Sequence, residues 1–224
     1  MKIGAIIQAR MSSQRLPGKV LQHVCGKPML QYLLEGIDHC KGLDATVVAT
    51  SVADSDTPIR NYCKEIGVAC VRGSLDNVAG RFVEVLKKFD FEAFVRLNGD
   101  SPLLDYRLVD RAVDMFTAGS YDLVSNVLKR TFPKGQSVEV VRTKTFLATY
   151  PLIRTVKDRE HVTSYFYSRV NDFSICNFES GKGYGHIQLS VDTSEDMLQI
   201  VELVDRMEKP HWKYTFEDLI ALLR

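Results

Sequence analysis

The sequence predicts an α/β fold, a mixed, mostly parallel sheet flanked by helices. Short apolar runs of strand length alternate with stretches of helical spacing over residues 3–125. Parallel strands joined by right-handed crossovers require that pattern. The first run, Ile3-Gly4-Ala5-Ile6-Ile7, gives way at once to a polar, cationic stretch, as at the carboxyl edge of an open sheet where ligands collect. Two other apolar runs, 93–97 and 187–191, are followed by carboxylates, Asp100 and Asp192.

Each element has its own signal. The run at 3–7 is too short for a membrane span and suits a buried parallel strand. Pro28 is placed to open a helix, on which Met29, Leu30, Leu33, Leu34 and Ile37 recur at helical spacing. Residues 45–50 (ATVVAT) form a second strand. Pro58 opens a helix with Ile59, Tyr62, Cys63 and Ile66 on one face, and Gly67 stops it. A third strand at 68–71 and a loop at 72–77 lead to a helix with Val78, Phe82, Val85, Leu86 and Phe89 inward. The fourth strand, 93–97, ends at Asn98-Gly99-Asp100-Ser101-Pro102, and a helix marked by Leu108, Val109, Ala112, Val113 and Phe116 runs to Gly119. Residues 121–125 make a fifth strand.

The alternation then lapses. A strand is expected at 138–141, a short helix at 143–150, a longer helix at 159–170 and a strand at 173–178. Gly181, Gly183 and Gly185 make a turn region, and 187–191 returns to a strand. A helix from Ser194 carries Met197, Ile200, Val201, Val204 and Met207. Thr215 and Asp218 have the spacing of a capping box, with Asp in place of Glu or Gln, and open a last helix with Leu219, Ile220 and Leu223 inward. Residues 1–224 thus read as one domain, a Rossmann-like sheet with a small β/α region inserted in its second half.

Composition excludes several classes. Of 224 residues, 45% are hydrophobic and 25% charged, with a net charge of +1, so bulk electrostatics give no case for nucleic acid or a membrane surface. No run approaches the roughly 20 apolar residues of a membrane helix. Gln8 and Arg10 interrupt the N-terminal apolar run, which argues against a signal peptide and makes a cytoplasmic protein the expectation. Five cysteines, an odd number with no C-x-x-C, argue against a zinc site or a disulfide framework.

The chemistry concentrates at the strand ends. Arg10, Arg15 and Lys19, with Ser12 and Ser13, make an anion site after the first strand. The loop is not a Walker A loop, because Gly18-Lys19 is followed by Val20, and no G-x-G-x-x-G is present. If the strands before Asp100 and Asp192 share one sheet, both carboxylates face one cleft, an arrangement that suits Mg²⁺ bound to phosphates. Taken singly, either Asp is also an ordinary turn or cap residue. Asp54-Ser55-Asp56 fits a D-x-D metal pattern but precedes Thr57-Pro58 and reads as helix capping.

These residues carry a resemblance. The run from Ala9 through Lys19, ARMSSQRLPGK, resembles the A-R-x-x-S-x-R-L-P-G-K loop of the CMP-sugar synthetases, which activate sialic acids and 3-deoxy-manno-octulosonate with CTP. The chain looks most like the spore coat polysaccharide biosynthesis protein F type. Asn98-Gly99-Asp100-Ser101-Pro102 resembles the family's G-D-x-P motif, and Val191-Asp192-Thr193-Ser194-Glu195-Asp196 its V-D-T-P-E-D motif, with Ser194 in place of Pro. Lys134 to Val140 resembles a G-L-D-V-E-V segment but departs from it at Gln136 and Ser137, and Arg159 to Thr163 resembles R-E-H-V-T.

The resemblance implies a nucleotide-diphospho-sugar transferase (GT-A-like) fold and transfer of CMP from CTP to an acidic or phosphorylated sugar, with release of pyrophosphate. Ala9, Arg10, Ser12, Ser13, Arg15 and Lys19 would then hold the triphosphate, Asp100 and Asp192 would hold Mg²⁺, and Arg10, Lys19, Asp100 and Asp192 would be catalytic. Asn98, followed by Asn77 and Arg81, is the candidate for the nucleotide base. Gln136, Glu139, Arg159, Glu160 and His161 would serve the acceptor, within a 132–190 region that also makes a homodimer. Two alternatives stand beside this reading: a glycosyltransferase on the same fold, which is expected to carry a second acid beside Asp100, and a nucleotide-binding protein without turnover.

Overall fold

In the computed structural model, which describes residues 1–223, β1 (Ile3–Gln8) is followed by a small hairpin, β2 (His23–Val24) and β3 (Lys27–Pro28), and by α1 (Met29–Ile37). The alternation continues through β4 (Ala45–Ser51), α2 (Thr57–Glu65), β5 (Ala69–Gly73), α3 (Val78–Leu86), β6 (Ala93–Asn98) and α4 (Tyr106–Ala118). The second half holds β7 (Leu123–Ser125), β8 (Glu139–Arg142), α5 (Thr143–Thr149), α6 (Val156–Glu160), α7 (Ser164–Tyr167) and β9 (Ile175–Asn177). Helices α8 (Ser194–Asp205) and α9 (Phe216–Leu222) complete the described chain.

Seven strands form one sheet in the order β5-β4-β1-β6-β8-β7-β9. The first four are parallel, β8 runs antiparallel to both β6 and β7, and β9 is parallel to β7. Alternation within the strands divides the core. Ile3, Ala5 and Ile7 of β1, with Ala93, Val95 and Leu97 of β6, pack under α1, α4, α8 and α9. Ile6 and Phe94 face the other way, onto α3, α5 and α7. Strand β1 pairs with β4 on one side and β6 on the other. The carboxyl ends of these three strands therefore flank a topological switch point, where open α/β sheets bind ligands.

Two expected elements differ. The stretch 187–191 is extended but is no strand of the main sheet. It makes one bridge, Lys134 with Gln188, and Val191 N–H donates to Asp100 C=O at 2.8 Å. The expected helix at 159–170 is broken into α6 and α7. Val162, fully buried, takes φ 46°, a rare conformation for a β-branched residue. Thr163 turns its hydroxyl inward onto Glu139. Burial of both side chains requires a turn that no continuous helix provides. The expected capping box of Thr215 with Asp218 is present, and a second one, Thr193 with Asp196, opens α8.

Candidate active site

The loop leaving β1 is fastened at three points. Ala9 N–H donates to Ala49 C=O at 3.2 Å, and Gly18 N–H to Met11 C=O at 2.8 Å, which closes the loop on itself. Gly18 sits at φ 73°, where a side chain would be strained. The third fastening is Asp56. Its buried carboxylate accepts Met11 N–H at 2.7 Å, Ser51 N–H at 3.2 Å and Ser51 Oγ–H at 2.5 Å. The expectation that Asp54-Ser55-Asp56 caps a helix is therefore corrected: the Asp56 side chain makes no capping bond to α2, because it holds the loop instead. Asp54 is exposed.

The two acids reach the cleft by different routes. Gly99 N–H donates to Gln8 C=O at 2.8 Å, and a Cβ on Gly99 would lie 3.0 Å from that oxygen. This close approach sets Asp100 beside the end of β1. Asp192 follows the extended stretch pinned to Asp100. Thr193 and Asp196 supply the cap of α8, Asp196 accepting the N–H groups of Asp192 and Thr193, and the Asp192 carboxylate is left to face the cleft. Lys19 Nζ then lies 2.9 Å from Asp100 Oδ2, 3.2 Å from Asp192 Oδ1 and 2.5 Å from Val191 C=O. Arg15 Nη2 is 2.9 Å from the same Asp192 oxygen.

Across the mouth, Arg10 Nη2 pairs with Glu160 Oε1 of α6 at 2.9 Å. Deeper in, Arg81 of α3 is buried; its Nη1 reaches Ala9 C=O at 3.5 Å, and its Nε has no acceptor in the protein. Burial pushes the Arg81 guanidinium down to about 10, with Asp56 and Glu160 opposing that shift and Arg10 adding to it. It stays protonated at neutral pH. The cleft measures about 470 Å³, within the roughly 300–1,000 Å³ of small-ligand sites. Four cations, Arg10, Arg15, Lys19 and Arg81, line it against three carboxylates, Asp100, Asp192 and Glu160. Such a cleft suits a polyanion.

The structure brings most of the expected residues to this wall: Ala9, Arg10, Ser13, Arg15, Lys19, Arg81, Asn98, Asp100, Glu160, His161 and Asp192. Five others stand apart. Ser12 and Arg159 are exposed outside the cleft lining. Asn77 caps α3 through Gly80 N–H at 2.9 Å and donates to Tyr150 Oη at 2.9 Å, which spends its amide. Gln136 is fully buried, donating to Leu103 C=O and accepting Asp105 N–H, both at 2.8 Å. Glu139 is buried against Arg96 Nη1 at 2.5 Å, Thr163 Oγ1–H at 2.7 Å and Tyr167 Oη–H. Direct acceptor contact by Gln136 and Glu139 is thus corrected, because their polar atoms are already paired inside the fold. Sequence reasoning missed Gln8 and Gln14 on the wall and Asp56 beneath it. Gln8 alone carried a signal, as the first polar residue after an apolar run.

The acid pair fits a divalent cation shared with a triphosphate. Both carboxylates already converge on one cationic group, the Lys19 ammonium, and each is about 30% exposed toward the cleft. No third Asp, Glu, His or Cys among the described residues joins them in a metal-binding group. Mg²⁺ is commonly held by one or two carboxylates, with phosphate oxygens and water completing its shell.

A family model for cytidylyltransferases matches residues 4–219. The chain belongs to the cytidylyltransferase family. As a member it is a CTP-dependent nucleotidyltransferase. This cytidylyltransferase is 32% identical over 229 residues to the spore coat polysaccharide biosynthesis protein SpsF of Bacillus subtilis, covering 97% of this chain and 92% of that one. It is 28% identical over 222 residues to the 3-deoxy-manno-octulosonate cytidylyltransferase of Geobacter sulfurreducens, covering 93% and 86%. A solved cytidylyltransferase structure from Leptospira borgpetersenii superposes with a TM-score of 0.94 at 28% identity, covering all of this chain and 94% of the other. No helix among the described residues is long and apolar enough to cross a membrane.

Proposed function

We propose that this cytidylyltransferase transfers CMP from CTP to an acidic or phosphorylated sugar and releases pyrophosphate, in the biosynthesis of a surface polysaccharide. The observation that carries the reading is the cleft itself, where Arg10, Arg15, Lys19 and Arg81 face Asp100 and Asp192 at the switch point. The acceptor oxygen bonds to the α-phosphorus as the bond from that phosphorus to the β-bridging oxygen breaks. Arg10, Arg15 and Lys19 hold the phosphate oxygens and neutralise the charge that gathers on the leaving pyrophosphate. Arg81, whose Nε has no acceptor in the protein, and Asn98, both on the wall, take the nucleotide end. Asp100 and Asp192 would hold Mg²⁺, which when bound spreads phosphate charge and orients in-line displacement.

The acceptor belongs on the α6 side, where Glu160 and His161 line the cleft. The SpsF and 3-deoxy-manno-octulosonate relatives support a sugar acceptor for polysaccharide assembly. One domain carries the whole site, and the region 132–190 supplies the acceptor side and a homodimer contact. The test is pyrophosphate release from CTP and Mg²⁺ across a panel of sugar acids and sugar phosphates. Release with at least one member is expected. Intact CTP binding with no release from any member would sink the acceptor reading.

A further inference from the structure

The Arg10–Glu160 pair joins two parts of the cleft that are anchored very differently. Arg10 stands on the loop after β1, half-exposed, with no hydrogen-bond partner for its side chain besides Glu160 among the described residues. Glu160 ends α6, one residue before the turn at His161, Val162 and Thr163. That turn is clamped from below. Thr163 Oγ1 donates to Glu139 Oε1 at 2.7 Å and accepts from Arg96 Nη1 at 3.2 Å. Arg96 Nε donates to Gln8 Oε1 at 3.1 Å, and Tyr167 Oη bonds both Glu139 and, at 2.6 Å, Ser125 Oγ. Burial beside the Glu139 carboxylate holds the Tyr167 phenol well above its usual value, so it remains a donor. Val162, in its strained backbone conformation, is fully buried over this hub. A strained residue persists only where its surroundings over-determine it.

We propose that Glu160 is a gate on the triphosphate. It occupies Arg10 in the free enzyme and surrenders it when a polyphosphate enters. This rests on the cleft being a triphosphate site, as read above. The hub fixes the turn that follows Glu160, so the backbone carrying the carboxylate is held while the phosphates compete with it for Arg10. The same exchange releases the Glu160 carboxylate on the acceptor side only after the phosphates are in place. Glu139, Thr163 and Tyr167 are positioning residues for this gate, which accounts for a buried acid bonded to a half-buried tyrosine outside the cleft lining.

The test measures binding of CTP with Mg²⁺, and separately of inorganic tripolyphosphate, by titration calorimetry. The proteins are wild type, Glu160→Gln, Arg10→Gln and the double variant, each first shown to be folded by thermal melting. Glu160→Gln should bind both probes about three- to tenfold tighter than wild type, and the gain should vanish in the Arg10→Gln background. No gain would overturn the gate. A gain that survives without Arg10 would also overturn it, because that gain would be the general field of the carboxylate. If tripolyphosphate shows the expected pattern while CTP is not preferred over other nucleotides, the gate stands and the CTP reading falls. If neither probe binds wild type, both fall.

Discussion

Asp56→Asn tests whether the buried anchor under the loop governs nucleotide binding from outside the cleft. The carboxylate takes two backbone N–H groups, Met11 and Ser51, on different oxygens, and the Ser51 hydroxyl besides. An amide of the same shape has one accepting oxygen, so either Met11 N–H or Ser51 N–H must face an NH₂ group. Losing a hydrogen bond to a charged acceptor and leaving a buried donor unpaired costs about 2–3 kcal/mol. For a chain of this length that is a fall in Tm of roughly 4–12 °C. If the Met11 bond is lost, the loop carrying Arg10, Arg15 and Lys19 must be ordered by the ligand, which weakens CTP about three- to tenfold. Urea denaturation gives the first number and calorimetry below the melting range the second. A variant whose Met11 amide loses its hydrogen-exchange protection but which binds CTP as wild type does would refute the link between Asp56 and the loop.

Three further outcomes follow from the geometry. Lys19→Met keeps the stem but removes an ammonium shared by Asp100, Asp192 and the triphosphate; CTP affinity should fall about 10- to 100-fold, and a change under threefold in calorimetry would contradict its role. Gln136→Leu restores the residue of the similar G-L-D-V-E-V segment, yet it strands Leu103 C=O and Asp105 N–H, so urea unfolding should show a loss of about 2–4 kcal/mol; a neutral or stabilising result would contradict the pairing. His211, buried with Nε2–H donating to Tyr32 C=O at 2.7 Å, has its pKa lowered by that burial. The unfolded chain therefore binds the proton more readily. The His211 contribution is fully present above the ordinary value of 6.5 and is lost as pH falls from there to the lower folded value. His211→Gln should flatten the dependence of Tm on pH between about 7 and 5, and an unchanged slope would contradict it.

The first half of the fold was legible because local and global signals agree there. Apolar runs at 3–7, 45–50 and 93–97 are buried on both faces, and Pro58, Gly67 and Gly119 mark helix boundaries. The cationic loop was legible from its position after the run at 3–7, and the two acids from theirs after the runs at 93–97 and 187–191. The hub was not. In the sequence Thr163 and Tyr167 look like ordinary polar residues and Glu139 like an acceptor ligand, until the antiparallel pairing of β8 with β6 sets Glu139 opposite Arg96. The break at Val162 was hidden for the same reason, since helical spacing says nothing of a hydroxyl drawn 24 positions back in the chain. The stretch 187–191 alternates like a strand, but its bonds go to Lys134 and Asp100, and periodicity does not name partners. Asp56 was misread because Asp before Thr-Pro is a common cap, and the donors that take its oxygens instead, Met11 N–H and the N–H and hydroxyl of Ser51, are set there by the fold.

The most direct test of the central claim is a thermal-shift comparison of CTP, UTP, ATP and GTP, with and without Mg²⁺, on wild type and Asp192→Asn. A ligand at a hundred times its Kd stabilises the folded state by about 2.7 kcal/mol. The account predicts a shift for CTP above the other nucleotides, enlarged by Mg²⁺ in wild type and no longer enlarged by it in Asp192→Asn. Equal shifts for all four nucleotides, or an Mg²⁺ effect that persists in Asp192→Asn, would contradict it.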